Sequence, residues 1–127
     1  MSDEQKKTIL IVDDDEYLLE MYVLKFKEAG FVVETAQDGK SAIEVAREKQ
    51  PAVILLDVVL PAMDGFEILR NIRTEKLVPH ARIIMLTNLG QKNDTEKGKA
   101  LGADGYIVKA HFTPSEVVEK VEAILKK

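Results

Sequence analysis

The stretch Thr8-Ile9-Leu10-Ile11-Val12-Asp13-Asp14-Asp15 decides the fold. Four apolar residues stand in a row, without the alternation of a half-exposed strand and without the length of a helix stripe. Such a run is what a parallel strand needs when both of its faces are covered. It stops at three consecutive carboxylates. The same form recurs downstream, with Val53-Ile54-Leu55-Leu56 ending in Asp57 and Ile83-Ile84-Met85-Leu86 ending in Thr87. Strands are therefore expected at Thr8–Asp13, Val53–Asp57 and Arg82–Thr87, with two more at Phe31–Thr35 and Tyr106–Val108.

Helical patterns fill the intervals. Leu18, Tyr22 and Phe26 recur every fourth residue, with Leu19 and Val23 beside them; Ala42, Ile43 and Ala46 form a second stripe. Phe66, Leu69 and Ile72 form a third, and Val117, Val121, Ile124 and Leu125 a last. Asp64-Gly65-Phe66-Glu67 and Thr113-Pro114-Ser115-Glu116 have the spacing of reciprocal N-terminal caps, with Pro114 at the first helical position. Gly30 stands where a left-handed residue closes a helix. Gln91–Leu101 differs: it is nearly all polar, Gly98 interrupts it, and Ala100 and Leu101 are its expected apolar anchor. A helix held so weakly moves at low cost. Alternating strands and helices give an α/β fold, a doubly wound five-stranded parallel sheet flanked by five helices in the flavodoxin-like manner.

The 127 residues suit a single domain, 1–127. Hydrophobic residues make up 46% and charged residues 31%, a soluble globular balance. Without cysteine there is neither a disulfide nor a thiolate metal site. The formal charge of −4 argues against direct nucleic-acid binding, which needs a basic stripe. Lys92, Lys97 and Lys99 do not make one, because Asp94 and Glu96 interleave with them. No apolar run spans a bilayer, and Met1–Lys7 leads into no signal-peptide segment, so a cytoplasmic location is expected.

In a sheet of this kind ligands bind beyond the carboxyl ends of the strands. The residues expected there are Asp13, Asp14 and Asp15, then Asp57, Thr87 and Lys109. Two like charges about 4 Å apart repel by roughly 4 kcal/mol at an effective dielectric near 20. A cluster of carboxylates therefore calls for a cation. Oxygen ligands without His or Cys point to Mg²⁺ rather than Zn²⁺. A metal, an ammonium, a hydroxyl and a free carboxylate suit phosphoryl transfer, and a carboxylate can itself form an aspartyl phosphate. Plainer readings compete at several positions. Asp15 is expected to cap a helix rather than bind a ligand. Tyr106 suits ordinary packing, and His80 and His111 have no partner at metal-ligand spacing and belong at the surface.

At this point the chain resembles the receiver domains of two-component response regulators, the family that includes the chemotaxis response regulator. The resemblance spans essentially the whole chain. It rests on Ile9–Asp15, Leu55–Gly65, Leu86-Thr87-Asn88 and Gly102–Lys109, taken together in this order. It implies that Asp57 accepts a phosphoryl group from a histidine kinase or histidine phosphotransfer protein. Asp13, Asp14, Asp57 and the Val59 carbonyl would hold Mg²⁺. Thr87 and Lys109 would bind the phosphoryl oxygens, and Tyr106 would rotate inward on activation. The surface of the fourth helix, fifth strand and fifth helix would then change its affinity for an effector, and homodimerisation on activation is a further expectation. By this reading the chain is a phosphoacceptor that assists its own phosphorylation, not a turnover enzyme.

Several positions depart from the family pattern. Lys109 is followed by Ala110 where Lys-Pro with a cis bond is common, and the connection to Pro114 is one residue longer. Asn88 is bulkier than the small residue often found after the threonine, which would narrow access. Val59 and Leu89 are apolar where some relatives carry polar groups that position hydrolytic water, so slow loss of the phosphoryl group is expected. Three other readings compete: a phosphatase with an aspartyl nucleophile, a receiver-like interaction module that is never phosphorylated, and a nucleotide- or flavin-binding protein. The first lacks Asp-x-Asp at Asp57, and the last lacks a glycine-rich loop after the first strand. The chain ends close to the last helix, consistent with a stand-alone regulator or an excised receiver.

Overall fold

A computed structural model describes residues 6–127. Residues 1–5, and with them most of the Met1–Lys7 run, lie outside the described residues. Five strands, β1 (Thr8–Val12), β2 (Val32–Ala36), β3 (Val53–Leu56), β4 (Arg82–Thr87) and β5 (Gly105–Val108), form one parallel sheet in the order β2-β1-β3-β4-β5. The helices between and after them are α1 (Glu16–Glu28), α2 (Gly39–Lys49), α3 (Gly65–Thr74), α4 (Lys92–Ala100) and α5 (Pro114–Leu125). The sheet divides the core in two. Leu10, Val12, Ile54, Leu56, Ile83 and Met85 pack against α2 and α3 on one face. Ile9, Ile11, Val53, Leu55, Ile84 and Leu86 pack against α1 and α5 on the other. Consecutive residues of one strand thus face opposite apolar layers, which is why the runs show no polar alternation.

The five-stranded, five-helix expectation holds, with small shifts at the boundaries. Asp13 and Asp57 fall just past β1 and β3 rather than inside them. β2 begins at Val32 and reaches Ala36, and β5 gains Gly105. The order matters for chemistry: β1 and β3 are adjacent in the centre, with Val12 opposite Leu56, so the residues that follow them emerge side by side.

The helix ends explain where the segments turn. Asp15 caps α1 by accepting from the Leu18 N–H at 3.1 Å. At the other end, Gly30 takes φ +96° and donates to the Lys27 carbonyl, while Phe31 donates to Phe26, the paired bonds of a Schellman motif. Thr113 and Glu116 form the full reciprocal cap of α5. Only half of the expected box forms at α3, where Asp64 accepts from the Glu67 N–H. The cap of α2, Asp38 accepting from the Ser41 N–H at 2.8 Å, was not foreseen.

α4 is correctly placed but differently anchored. Ala100 is exposed and Leu101 only partly buried; the buried residue of α4 is Gly98. A Cβ at Gly98 would lie 3.2 Å from the Tyr106 ring and 3.5 Å from Met85. The glycine that looked like an interruption is the contact face, because the helix comes so close to β5 that even a Cβ would press on the Tyr106 ring. The end of α4 is held from outside. Arg73 of α3 donates to the Gly102 carbonyl (3.1 Å) and to the Ala81 carbonyl (3.3 Å), and pairs with Asp104 at 2.8 Å.

Candidate functional site

Parallel strands bring their carboxyl ends to one edge, and there the polar residues gather. Asp13 follows β1 and is 1% exposed. Its backbone N–H donates to Ala36, and its Oδ1 accepts from the Asp15 N–H at 2.9 Å. Asp57 follows β3, is buried, donates from its backbone to Val12, and accepts at Oδ1 from the Val59 N–H at 3.2 Å. Asp14 is exposed. One carboxylate oxygen from each of Asp13, Asp14 and Asp57 falls within a span of 4.8 Å.

Lys109 crosses to this cluster from the far side of the sheet. Its Nζ lies 2.6 Å from Asp13 Oδ2 and 2.7 Å from Asp57 Oδ2, with a side chain only 8% exposed. Burial alone would lower the lysine pKa, but its close pairing and charge interactions with Asp13 and Asp57 outweigh that and raise it, so the ammonium is retained. Asp13 moves up as well: burial raises its pKa, and Lys109 and the Asp15 N–H only partly offset this. One cation serves two buried carboxylates, with a third at the solvent edge.

Asp13 Oδ2 is buried and receives no well-directed hydrogen bond; the ammonium meets it as an ion pair only. A buried carboxylate oxygen left this way has spare acceptor capacity. The donor set around it is all oxygen. This is a site that can hold a hard metal ion, and Asp13, Asp14 and Asp57 are the side chains that would hold it.

The connection that carries Asp57 depends on a glycine. Gly65 donates its N–H to the Val58 carbonyl at 2.8 Å, and a Cβ at this position would overlap the backbone carbonyl of Asp57. The first turn of α3 therefore sits directly against the backbone of Asp57. In the sequence Gly65 was legible as the second residue of a capping box and as the end of the Leu55–Gly65 motif, but not as a point of backbone contact.

Thr87 closes β4 fully buried, opposite Val108, the residue before Lys109. The loop after it is tied down residue by residue. Thr87 Oγ1 accepts from the Leu89 N–H at 3.4 Å, Asn88 Oδ1 accepts from the Ala110 N–H at 2.9 Å, and the Leu89 carbonyl accepts from the Tyr106 hydroxyl. Burial, with the Asp94 and Asp57 charges adding to it, pushes the Tyr106 phenol up to about 12, so it stays a donor. Val59 and Leu89 present apolar side chains to solvent, 59% and 37% exposed.

Some candidates stay apart from the cluster. Asp15 is a helix cap, and His80 and His111 are exposed. No cis peptide occurs among the described residues; Lys109–His111 forms a single 3₁₀ turn instead.

The model of the response regulator receiver domain matches residues 9–122. The chain belongs to the response-regulator receiver family. It is 40% identical over 121 residues to the alkaline phosphatase synthesis transcriptional regulatory protein PhoP of Bacillus subtilis, covering 95% of this chain and 49% of PhoP. It is 40% identical over 119 residues to the transcriptional regulatory protein SrrA of Staphylococcus aureus, covering 94% of this chain and 48% of SrrA. The receiver thus spans about half the length of these relatives. Among solved structures, the chemotaxis response regulator CheY4 of Vibrio cholerae superimposes with a TM-score of 0.87 at 32% identity, over 94% of this chain and 99% of CheY4. The fold is that of CheY-like receivers, and phosphorylation-dependent switching is what the family implies. Among the described residues no helix is long and apolar enough to cross a membrane.

Proposed function

We propose that residues 1–127 act as one receiver domain that takes a phosphoryl group onto Asp57 and relays its presence to the α4–β5–α5 surface. The observation that carries this is the Lys109 ammonium held between Asp13 and Asp57 at 2.6 and 2.7 Å. A buried cation touching the acceptor oxygen is placed to meet the charge of an incoming phosphoryl group. The donor is a phosphohistidine of a sensor kinase or a phosphotransfer protein. A carboxylate oxygen of Asp57 forms the bond to phosphorus, the P–N bond breaks, and the leaving imidazole takes up a proton.

Asp13, Asp14, Asp57 and the Val59 carbonyl hold Mg²⁺ in this reading. When bound, the ion neutralises the carboxylates and the phosphoryl oxygens and supports in-line transfer. Lys109 leaves its pairing with Asp57 as the acceptor oxygen becomes part of a mixed anhydride, and binds a phosphoryl oxygen. The Thr87 hydroxyl binds another. Its movement releases the loop through Leu89, whose carbonyl holds the Tyr106 hydroxyl, and the ring turns inward beside Gly98. The exposed apolar side chains of Val59 and Leu89 offer no polar group to align a hydrolytic water, so the phosphoryl group persists. The domain is a switch in the cytoplasm, pairs with itself on activation, and acts on an effector without binding nucleic acid itself.

Incubation with acetyl phosphate and Mg²⁺, followed by intact mass measurement, tests the assignment. A gain of one phosphoryl group is expected, absent in Asp57→Asn and absent with chelator. Labelling that survives in Asp57→Asn overturns it, and sustained release of phosphate from small esters would favour the phosphatase reading.

A further inference from the structure

We propose that Asn88 is a positioning residue for Lys109, acting through the backbone of Ala110; the proposal rests on the phosphoacceptor reading above. The loop that carries Lys109 is a short 3₁₀ turn, Lys109–His111, closed by the Phe112 N–H on the Lys109 carbonyl at 3.2 Å. Ala110 is the middle residue of that turn. Asn88 Oδ1 accepts from its N–H at 2.9 Å across 22 residues of sequence. Asn88 is bonded through its own backbone to Thr87, and Ala110 to Lys109. One side chain therefore joins the loop of the buried hydroxyl to the loop of the buried ammonium.

The chemistry needs such a tie. Lys109 must place one nitrogen within 2.7 Å of two carboxylates while nearly enclosed. A lysine stem has four rotatable carbons, so its head is fixed only as well as its backbone. Fixing the residue that follows it restricts where the stem begins. A proline at position 110 would fix its own φ but would carry no N–H. Alanine leaves both the freedom and the donor, and Asn88 engages the donor. The same bond directs the Asn88 side chain toward the 109–111 turn, so its influence runs through Lys109 rather than through bulk over the acceptor.

Two variants separate the explanations. Asn88→Ala removes the acceptor and the bulk; Asn88→Leu removes the acceptor and keeps the bulk. Asn88 is exposed, so both are expected to fold, with melting temperatures as the control. A solvent-exposed hydrogen bond of ordinary strength corresponds to about a twofold to tenfold effect. Both variants are expected to speed amide exchange at Ala110 by that factor. They are also expected to lower the maximal rate of acetyl-phosphate labelling by a similar factor, with half-saturating Mg²⁺ unchanged within about twofold. If bulk governs instead, Asn88→Ala labels faster than wild type and Asn88→Leu labels normally, and the proposal fails. Unchanged exchange at Ala110 also overturns it. If the wild-type domain takes no label at all, the phosphoacceptor reading has failed, whereas Ala110 exchange still reports whether the tie exists.

Discussion

α3 and α4 lie on the same face of the sheet and have nearly the same length, yet they are held in opposite ways. α3 buries Phe66, Ile68, Leu69 and Ile72 and presses Gly65 against the backbone of Asp57. α4 buries Gly98, and its other residues are polar or exposed. Its grip on the fold comes from the Tyr106 ring beneath it, from Lys97 over the Phe66 ring at 4.8 Å, and from Arg73 at its end. Asp57, the proposed acceptor, thus lies against the helix that cannot shift without losing core contacts. The proposed readout sits on the helix that buries no apolar side chain of its own. A switch requires both: an acceptor that keeps its geometry, and an element whose alternative positions differ by little free energy.

The largest test of the contrast concerns the pinned half. Lys109→Met leaves two buried carboxylates without their cation, and a loss of about 3–5 kcal/mol is expected at neutral pH in chelator, by urea unfolding. The pH dependence has a definite sign. Asp13 binds its proton more tightly folded than unfolded, so its contribution to stability falls as pH rises from 3.8 through its raised value. Removing the ammonium raises that value further, so the deficit of the variant shrinks in acid. The Lys109 contribution is fully present below 10.5 and is lost as pH rises through its own raised value, so the deficit shrinks in alkali too. A deficit that grows in acid would break this account.

A paired substitution addresses the helices directly. Leu69→Ala, at a fully buried site of α3, is expected to cost about 2–5 kcal/mol. Lys99→Ala, on the exposed side of α4, is expected to stay within about 0.5 kcal/mol. Native-state amide exchange sharpens the point: α3 should open only with global unfolding, and α4 well below it. Equal protection of the two helices would remove the contrast.

A small effect on stability, and the most informative for switching, belongs to Gly98→Ala. The helix gains propensity of about 0.5–1 kcal/mol, while a Cβ 3.2 Å from the Tyr106 ring asks the ring to move by a few tenths of an ångström. Net stability should change by less than about 1 kcal/mol, with a clear shift in the Tyr106 ring resonances. A loss above about 2 kcal/mol would mean that α4 is packed as firmly as α3.

The strand ends were readable because parallel topology leaves little choice. Unbroken apolar runs identify β1, β3 and β4, and all carboxyl ends of a parallel sheet point one way, so Asp13, Asp14, Asp57, Thr87 and Lys109 had to meet near one edge. The caps at Asp15, Thr113 and Gly30 were readable because they depend on three or four neighbouring residues. Other features were hidden for an equally physical reason. Whether Asp64 completes its box, whether Gly98 is a gap or a contact face, and whether Asn88 covers the site or ties Ala110 all depend on how close two distant segments come. Local propensity carries no information about that distance.

By itself, then, the sequence determined the order of elements, the parallel sheet and the set of polar residues at its edge, since each follows from periodicity and chain direction. Only the tertiary structure decided that one ammonium is shared by Asp13 and Asp57, that Gly65 and Gly98 are points of backbone contact, and that the loops of Thr87 and Lys109 are joined through Asn88. Those facts rest on tenths of an ångström between groups that close packing brings together across the fold, and side-chain type alone does not encode them.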